Sequence, residues 1–363
     1  MRPRTTDWSL ALSVAAGFGT GLWSLVAGRA EQWWIFALHG MAGAWLGLLL
    51  LPKLWRVRWR LLPRPGTASP ATWRDWRTLA GIGSTLLALL VLGTGVAWSN
   101  GAVLVVWGYN LLNWHIVFSF VLVLLVSWHM LVRARPLRKT DLHERRQAVQ
   151  WLGLLAGGVL LWPMQQWLQR QFQLPGFTRR FTGSREIGSF GGNGAFPYVS
   201  WVADRPLPLD VATWQLQISG LVEQPVTLRY DQLALRDTLE ATLDCTGGFY
   251  TSQQWRGITI ARLLDEAKPT PAARWVRFRS ATGYHWSLPL TEARTALLAT
   301  HIGETALHHG HGAPLRLVAP GQRGFVWVKW LVALELHEAP DPAQLLAINS
   351  SWTTPIGRGD TQG

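Results

Sequence analysis

The chain has 363 residues, room for about two domains, and 48% of them are apolar while only 15% are charged. Soluble globular chains carry about 25% charged residues, so this composition excludes a disordered protein and argues against a wholly soluble one. A single cysteine, Cys245, excludes a disulfide scaffold and any cluster held by several thiolates.

The net charge of +13 is unevenly spread. Residues 1–167 hold 16 Lys/Arg against 5 Asp/Glu, together with 16 of the 24 Trp, whereas residues 168–363 hold 18 against 16. A basic, Trp-rich, apolar half beside a nearly neutral half reads as a membrane domain followed by a soluble one. Nucleic-acid binding, the other reading of a high pI, is set aside because the basic residues sit at the ends of apolar runs.

Five apolar stretches, 8–28, 33–52, 78–98, 107–132 and 148–167, are long enough to span a hydrocarbon core of about 30 Å. A short apolar segment, 102–106, precedes the fourth. Lys53, Arg56, Arg58, Arg60, Arg64, Arg74 and Arg77 follow the second stretch. Arg133, Arg135, Arg138, Lys139, Arg145 and Arg146 follow the fourth, Arg2 and Arg4 precede the first, and only Arg29 falls on the opposite side. The positive-inside rule places the basic side in the cytoplasm. Five spans then put residue 168 onward outside, in the periplasm of a bacterial-type inner membrane protein. The first stretch also has the form of a signal peptide, which leaves the later topology unchanged. A transporter is disfavoured because no Asp, Glu or discontinuous polar helix lies in mid-span.

His39, His115 and His129 lie within spans, where an ionisable side chain is a functional candidate. His39 and His115 fall about 9–12 Å below the outer edge on two spans that run the same way. Two imidazoles at matched depth suit bis-His ligation of a haem iron. His129, fourteen residues after His115, is the candidate ligand of a second haem at the inner edge. Its depth partner is Lys53, either a ligand or a snorkelling anchor. Interhelical hydrogen bonding without a cofactor is the plainer alternative for these histidines. The pattern resembles the small membrane cytochromes b, which implies haem b and electron exchange with the quinone pool.

A polar, basic, Gly-rich stretch follows the fifth span. The expected domains are a transmembrane cytochrome-b-like region over 1–167, a linker over 168–195, an oxidoreductase domain over 196–340 and a tail over 341–363. Alternation of apolar and polar residues predicts strands at 214–218 and 274–279, and in part at 314–318 and 325–331. Short helices are expected at 230–235, 260–266 and 290–298.

Cys245 stands in Leu243-Asp244-Cys245-Thr246-Gly247-Gly248. A lone thiolate is a soft ligand able to supply one bond to a metal whose other ligands come from elsewhere, and otherwise is an inert buried thiol. Its surroundings carry a resemblance. In order come Asn193-Gly194-Ala195-Phe196-Pro197, Trp214, Gly220, Tyr230-Asp231, Cys245, Trp255-x-Gly257 and Gly283-Tyr284. His311-Gly312-Ala313-Pro314-Leu315-Arg316 and Gly324-Phe325-x-Trp327-Val328-Lys329-Trp330 complete the series. Residues 185–340 resemble the molybdopterin domain of the sulfite oxidase family, in the form found in periplasmic methionine sulfoxide reductase catalytic subunits.

The resemblance implies that Cys245 ligates molybdenum. Asn193, Phe196, Pro197 and Ser280 would line the cofactor, His311 and Arg316 would contact pterin and phosphate, and Trp327, Val328 and Lys329 would close the phosphate site. Tyr250 and Tyr284 are candidate proton donors. Residues 246–254 contain no Arg where sulfite oxidases hold an oxyanion, with Arg256 and Arg323 as conceivable substitutes. The family's second, dimer-forming sandwich is not seen. His301, His308, His309 and His311 have no common zinc spacing.

The expected fold class is therefore multi-domain, an all-α five-helix transmembrane bundle followed by an α+β molybdopterin domain. The expected function is oxidation or reduction of a small extracytoplasmic substrate, an S-oxide, N-oxide or sulfur oxyanion, with the quinone pool and membrane lipid as partners. The alternatives are a sulfite-type dehydrogenase and a membrane-anchored binding protein without metal chemistry.

Overall fold

The computed structural model describes residues 3–61, 76–138, 145–199, 206–233, 235–342 and 344. Arg2, Arg64, Arg74 and Lys139 of the expected cytoplasmic side, and nearly all of the expected tail over 341–363, lie outside the described residues. The chain divides into two units, Met1–Ser24, Glu31–Leu104 and Leu111–Gly183 forming the first, and Leu25–Ala30, Val105–Asn110 and Ser184–Gly363 the second.

The first unit is helical, with α1 (Pro3–Val26), α2 (Trp33–Leu61), α3 (Trp76–Ser99), α4 (Leu111–Arg133) and α5 (Arg145–Gln171). Four stretches, Pro3–Val26, Ala30–Arg56, Leu79–Ser99 and Leu111–Val132, are long and apolar enough to cross a membrane. The fifth expected span does form a helix, α5, but Gln150, Pro163, Gln165 and Gln166 dilute its apolar run, and it is not among those four. Two of its glutamines bind the end of α3 instead. Gln165 Nε2 donates to Ser99 Oγ at 2.7 Å, and Gln169 Nε2 donates to the Ser99 carbonyl at 2.9 Å. Carbonyls at a helix C-terminus lack intrahelical partners, so such donors satisfy them.

The helices meet through small residues. A Cβ on Gly40 would lie 2.3 Å from the Trp162 ring, and one on Gly158 would lie 3.3 Å from Trp45, so α2 and α5 interlock glycine against tryptophan. Val14, Leu46, Leu50, Ala88, Val91 and Leu122 form the unit's interior. Leu12, Leu86, Leu124 and Leu131 face outward on the same helices. An apolar exterior of this kind matches a hydrocarbon solvent.

After Leu25–Ala30, the second unit takes in a short hairpin of β1 (Val105–Val106) and β2 (Tyr109–Asn110). It continues through β3 (Arg185–Glu186), β4 (Gln215–Gly220), β5 (Val226–Arg229), β6 (Asp237–Cys245) and β7 (Phe249–Thr259) to α6 (Ile260–Ala267). Then come β8 (Trp275–Ser280), β9 (His285–Pro289), α7 (Leu290–Ala293), β10 (Leu297–Ile302), β11 (Thr305–Ala306), β12 (Arg316–Val318) and β13 (Leu331–His337). One sheet runs β11-β10-β7-β3, with β12 on β10 and β6 on β7, and the other runs β5-β4-β13-β8-β9. Pairing is antiparallel except for β3 with β7 and β4 with β13. The two sheets share a core that includes Trp255, Phe278, Leu297, Leu298 and Leu334.

The alternating segments at 214–218 and 274–279 are strands β4 and β8, shifted by a residue. Three expectations are corrected, the first being the helix over 230–235, of which only Tyr230–Gln232 forms a 3-10 turn. Only Leu290–Ala293 of the expected helix over 290–298 is helical, and Leu297 and Leu298 open β10. That strand is buried on both faces between β7 and β12, so its sequence shows no alternation to distinguish it from a helix. The expected strand over 325–331 is instead a 3-10 turn, Gly324–Val326, and the strand starts only at Leu331, after Trp330 in a left-handed conformation.

Candidate functional site

In the second unit, Cys245 ends β6 in register with Phe249 of β7. The intervening turn needs glycine, because Gly248 has φ 88°. The turn brings donors to the sulfur side, and the Gly247 N–H points at Cys245 Sγ from 3.3 Å. Burial pushes the thiol up. The Gly247 N–H, Arg323 and Lys329 pull it back, while Asp244 opposes them. Such a sulfur stays protonated until a cation takes the proton's place, as a structural metal ligand does.

The backbone on either side of Cys245 is clamped. Asp244 accepts from Arg323 Nη1 at 2.7 Å and from Ser184 Oγ at 2.7 Å, with both members of the ion pair buried. Arg323 Nη2 also donates to the Cys245 carbonyl at 3.3 Å. Gly324 lies flat against the strand end, where a Cβ would come within 3.2 Å of Cys245 Cα. Asn110 Nδ2 donates to the Gly247 carbonyl at 2.7 Å from the β1–β2 hairpin. From the sequence Arg323 reads only as an oxyanion ligand, and Asp244, Ser184 and Asn110 carry no assigned role. The only local signal was an acidic residue directly before the cysteine.

A second cluster surrounds Arg316 at the start of β12. Its side chain is 3% exposed, donates from Nη1 to the His311 carbonyl at 3.0 Å, and leaves Nε without a partner. No carboxylate pairs with it among the described residues. Its guanidinium instead lies over Trp255 at 4.9 Å and Trp327 at 5.6 Å. Burial lowers its pKa to about 9, so it remains charged at neutral pH. An unpaired buried cation is costly unless an anion completes it, so this pocket fits an anionic ligand such as a pterin phosphate.

His311 stacks on Phe196 with ring centres 3.9 Å apart and donates from Nε2 to the Asn193 carbonyl at 2.8 Å. Burial, then Arg316, lowers its pKa to about 2, so the ring is neutral with Nδ1 free of a proton. Lys329 Nζ donates to the Gly310 carbonyl at 2.7 Å. Trp327 and Val328 are buried beside Arg316, and Val328 accepts from the Leu317 N–H at 2.8 Å.

The remaining expected site residues fall into two groups. Phe196 joins His311, and the half-buried Pro197 follows it in the chain. Asn193, by contrast, spends its side chain on the protein, donating to Thr305 Oγ1 and the Ala306 carbonyl and accepting from the His308 N–H. It positions the loop. Ser280 is buried and accepts from Thr282. Tyr284 donates its hydroxyl proton to the Phe325 carbonyl at 2.6 Å, which commits that proton to structure. Tyr250 is half-buried on β7 in register with Asp244, one step from the cysteine. Arg256 is held by Glu304. His301, His308 and His309 engage Thr300, the Tyr198 ring and the Pro206 carbonyl respectively, and form no joint ligand set.

In the first unit, the His39 and His115 rings stand 6.0 Å apart and nearly perpendicular, at 84°. Each Nδ1 donates to a backbone carbonyl, His39 to Gly17 at 2.9 Å and His115 to Val91 at 3.0 Å. These bonds fix the tautomer and leave Nε2 as the nitrogen with a lone pair, as in metal-ligating imidazoles. Two such nitrogens about 2 Å from a shared iron, each roughly 1 Å from its ring centre, place the centres about 6 Å apart. The pair therefore fits haem iron. At the other depth, Lys53 forms an ion pair with Asp7 at 2.5 Å. His129 faces Gly81, where a Cβ would lie 3.8 Å from its Cε1.

Known proteins resemble parts of this chain. Residues 203–345 match the family model described as oxidoreductase molybdopterin binding domain. The catalytic subunit of protein-methionine-sulfoxide reductase, MsrP, from Gluconobacter oxydans is 34% identical over 182 residues, 44% of this chain and 57% of that protein. The NADPH nitrate reductase of Aspergillus niger is 34% identical over 170 residues, 37% of this chain and 20% of that protein. Among solved structures, the sulfane dehydrogenase SoxCD of Paracoccus pantotrophus aligns over 37% of this chain and 40% of its own, with 28% identity and a TM-score of 0.35. The chain thus spans 57% or less of the length of these relatives. The matched segment contains Cys245 and the Arg316 pocket, and the chain carries a molybdopterin-binding oxidoreductase domain.

Proposed function

We propose that the protein is a membrane-bound molybdenum-cofactor oxidoreductase that exchanges electrons between a small extracytoplasmic substrate and the quinone pool through haem b. The carrying observation is the pair of imidazoles, His39 and His115, 6.0 Å apart among apolar helices of the same chain that holds the molybdopterin domain. When bound, molybdenum would supply two-electron oxygen-atom chemistry and haem would supply one-electron exchange.

The chain's own residues have definite tasks in this reading. Cys245 offers one thiolate, held by the Gly247 N–H and the Asp244–Arg323 clamp. Arg316 and Lys329 offer positive charge to the pterin phosphate, and neutral His311 with Phe196 forms a flat apolar wall beside it. Tyr250 is the better-placed proton donor, since the Tyr284 hydroxyl is already used by Phe325.

Substrate charge follows from the arginines. No Arg occurs over 246–254, Arg256 is tied to Glu304, and Arg323 is tied to Asp244. Neither substitute is left to grip an oxyanion, which favours a neutral S-oxide or N-oxide over sulfite. Metal analysis and reduced-minus-oxidised visible spectra of protein from a cofactor-competent host, with turnover of sulfoxides, N-oxides and sulfite, test this. Molybdenum, a b-type band lost in His115→Ala, and turnover of neutral oxides are expected. Absence of molybdenum would leave a non-catalytic binding protein, and absence of the band would remove the haem branch.

A further inference from the structure

The first unit is built on a repeat. The contacts that repeat join α1 to α2 in one half and α3 to α4 in the other. In the first pair, the Gly17 carbonyl accepts from His39 Nδ1, Thr20 Oγ1 lies 3.2 Å from that nitrogen, and a Cβ on Gly21 would lie 3.2 Å from the ring. In the second pair, the Val91 carbonyl accepts from His115 Nδ1, Thr94 Oγ1 lies 3.3 Å from it, and a Cβ on Gly95 would lie 3.0 Å from the ring. The offsets are the same in both halves, a carbonyl, then threonine three residues on, then glycine.

Fourteen residues along each helix the repeat has a second level, since fourteen residues return to nearly the same helix face after about 21 Å. In α3 and α4 these positions are Gly81 and His129, again glycine facing imidazole. In α1 and α2 they are Asp7 and Lys53. Three corners of the pattern are therefore Gly–His, and the fourth is an ion pair with a 2.5 Å contact. A lysine bound to a carboxylate is an ammonium, a donor without a lone pair for a metal. Asp7 also puts a side chain where the other three corners have none.

We infer that the Asp7–Lys53 pair closes the second haem level, so that the chain holds one haem, at His39 and His115. This inference rests on the haem reading proposed above. The full-length protein in detergent is assayed for haem b per chain by pyridine haemochrome and by potentiometric titration. One haem and one single-electron wave are expected in the wild type and in His129→Ala. The double variant Asp7→Gly, Lys53→His rebuilds the fourth Gly–His corner and is expected to bind two haems, with a second wave. Two haems in the wild type, or haem loss in His129→Ala, overturn the inference while leaving the haem reading intact, as does a double variant that keeps only one. A wild type without haem overturns the haem reading itself.

Discussion

Arg316 holds its charge in the interior with indole faces beside it rather than a carboxylate, and His311 beside it gives up its charge altogether. The two behaviours share one cause, because a second cation next to Arg316 in a desolvated site is doubly unfavourable. For His311 the unfolded value is 6.5 and the folded value is about 2. The unfolded chain thus takes up a proton that the folded one refuses. The stability contributed by neutral His311 is complete above pH 6.5 and is lost as pH falls from 6.5 towards 2. The slope approaches about 1.4 kcal/mol per pH unit. Thermal unfolding of the wild type and His311→Gln between pH 7 and pH 5 checks this. The wild type should lose more stability on acidification, and parallel curves would refute the assignment. At this scale the sequence singles out residues that belong to a motif, as Cys245, His311 and Arg316 do. It was not legible where partners lie far apart. Asp244 and Arg323 are 79 residues distant, and nothing local to either predicts that they share a buried hydrogen bond.

Strand β7 carries the site at the scale of elements. One end lies in register with Cys245, and near the other end Gly257 passes so close to β10 that a Cβ would sit 1.9 Å from the Leu298 carbonyl. Gly257→Ala must push the two strands apart at a point where both are fully packed. The expected cost is about 1–3 kcal/mol, read as a lowered unfolding temperature together with reduced molybdenum retention. An unchanged unfolding temperature would show that the strand pair yields more easily than its packing implies. Half-buried strands such as β4 were readable from alternation, since one face meets the core and the other meets water. β10 was not, because both of its faces are covered. The helices of the first unit were readable as apolar runs. Their ends were less so, as α5 extends past its expected limit of residue 167 to Gln171, where Gln169 has a structural partner on α3.

For the whole molecule, the charge asymmetry divides the sequence at 167/168, whereas the first unit runs on to Gly183 and gives up Leu25–Ala30 and Val105–Asn110 to the second, and the internal repeat of the first unit lay hidden in short offsets around unlike residues. Its one irregular corner, Asp7 with Lys53, has a consequence for energy conservation. A pair of stacked porphyrins lets electrons traverse a bilayer and so carry current. With a solitary porphyrin in the outer leaflet, quinol would be drained and the acceptor filled on one face, with no net displacement of charge. Proteoliposomes turning over with a quinol analogue should therefore leave a voltage-sensitive dye silent, and uncouplers should not change the rate. A dye response would mean that electrons cross where the Asp7–Lys53 pair should insulate. On the proposed reading, reducing equivalents would then pass to the substrate without charging the membrane.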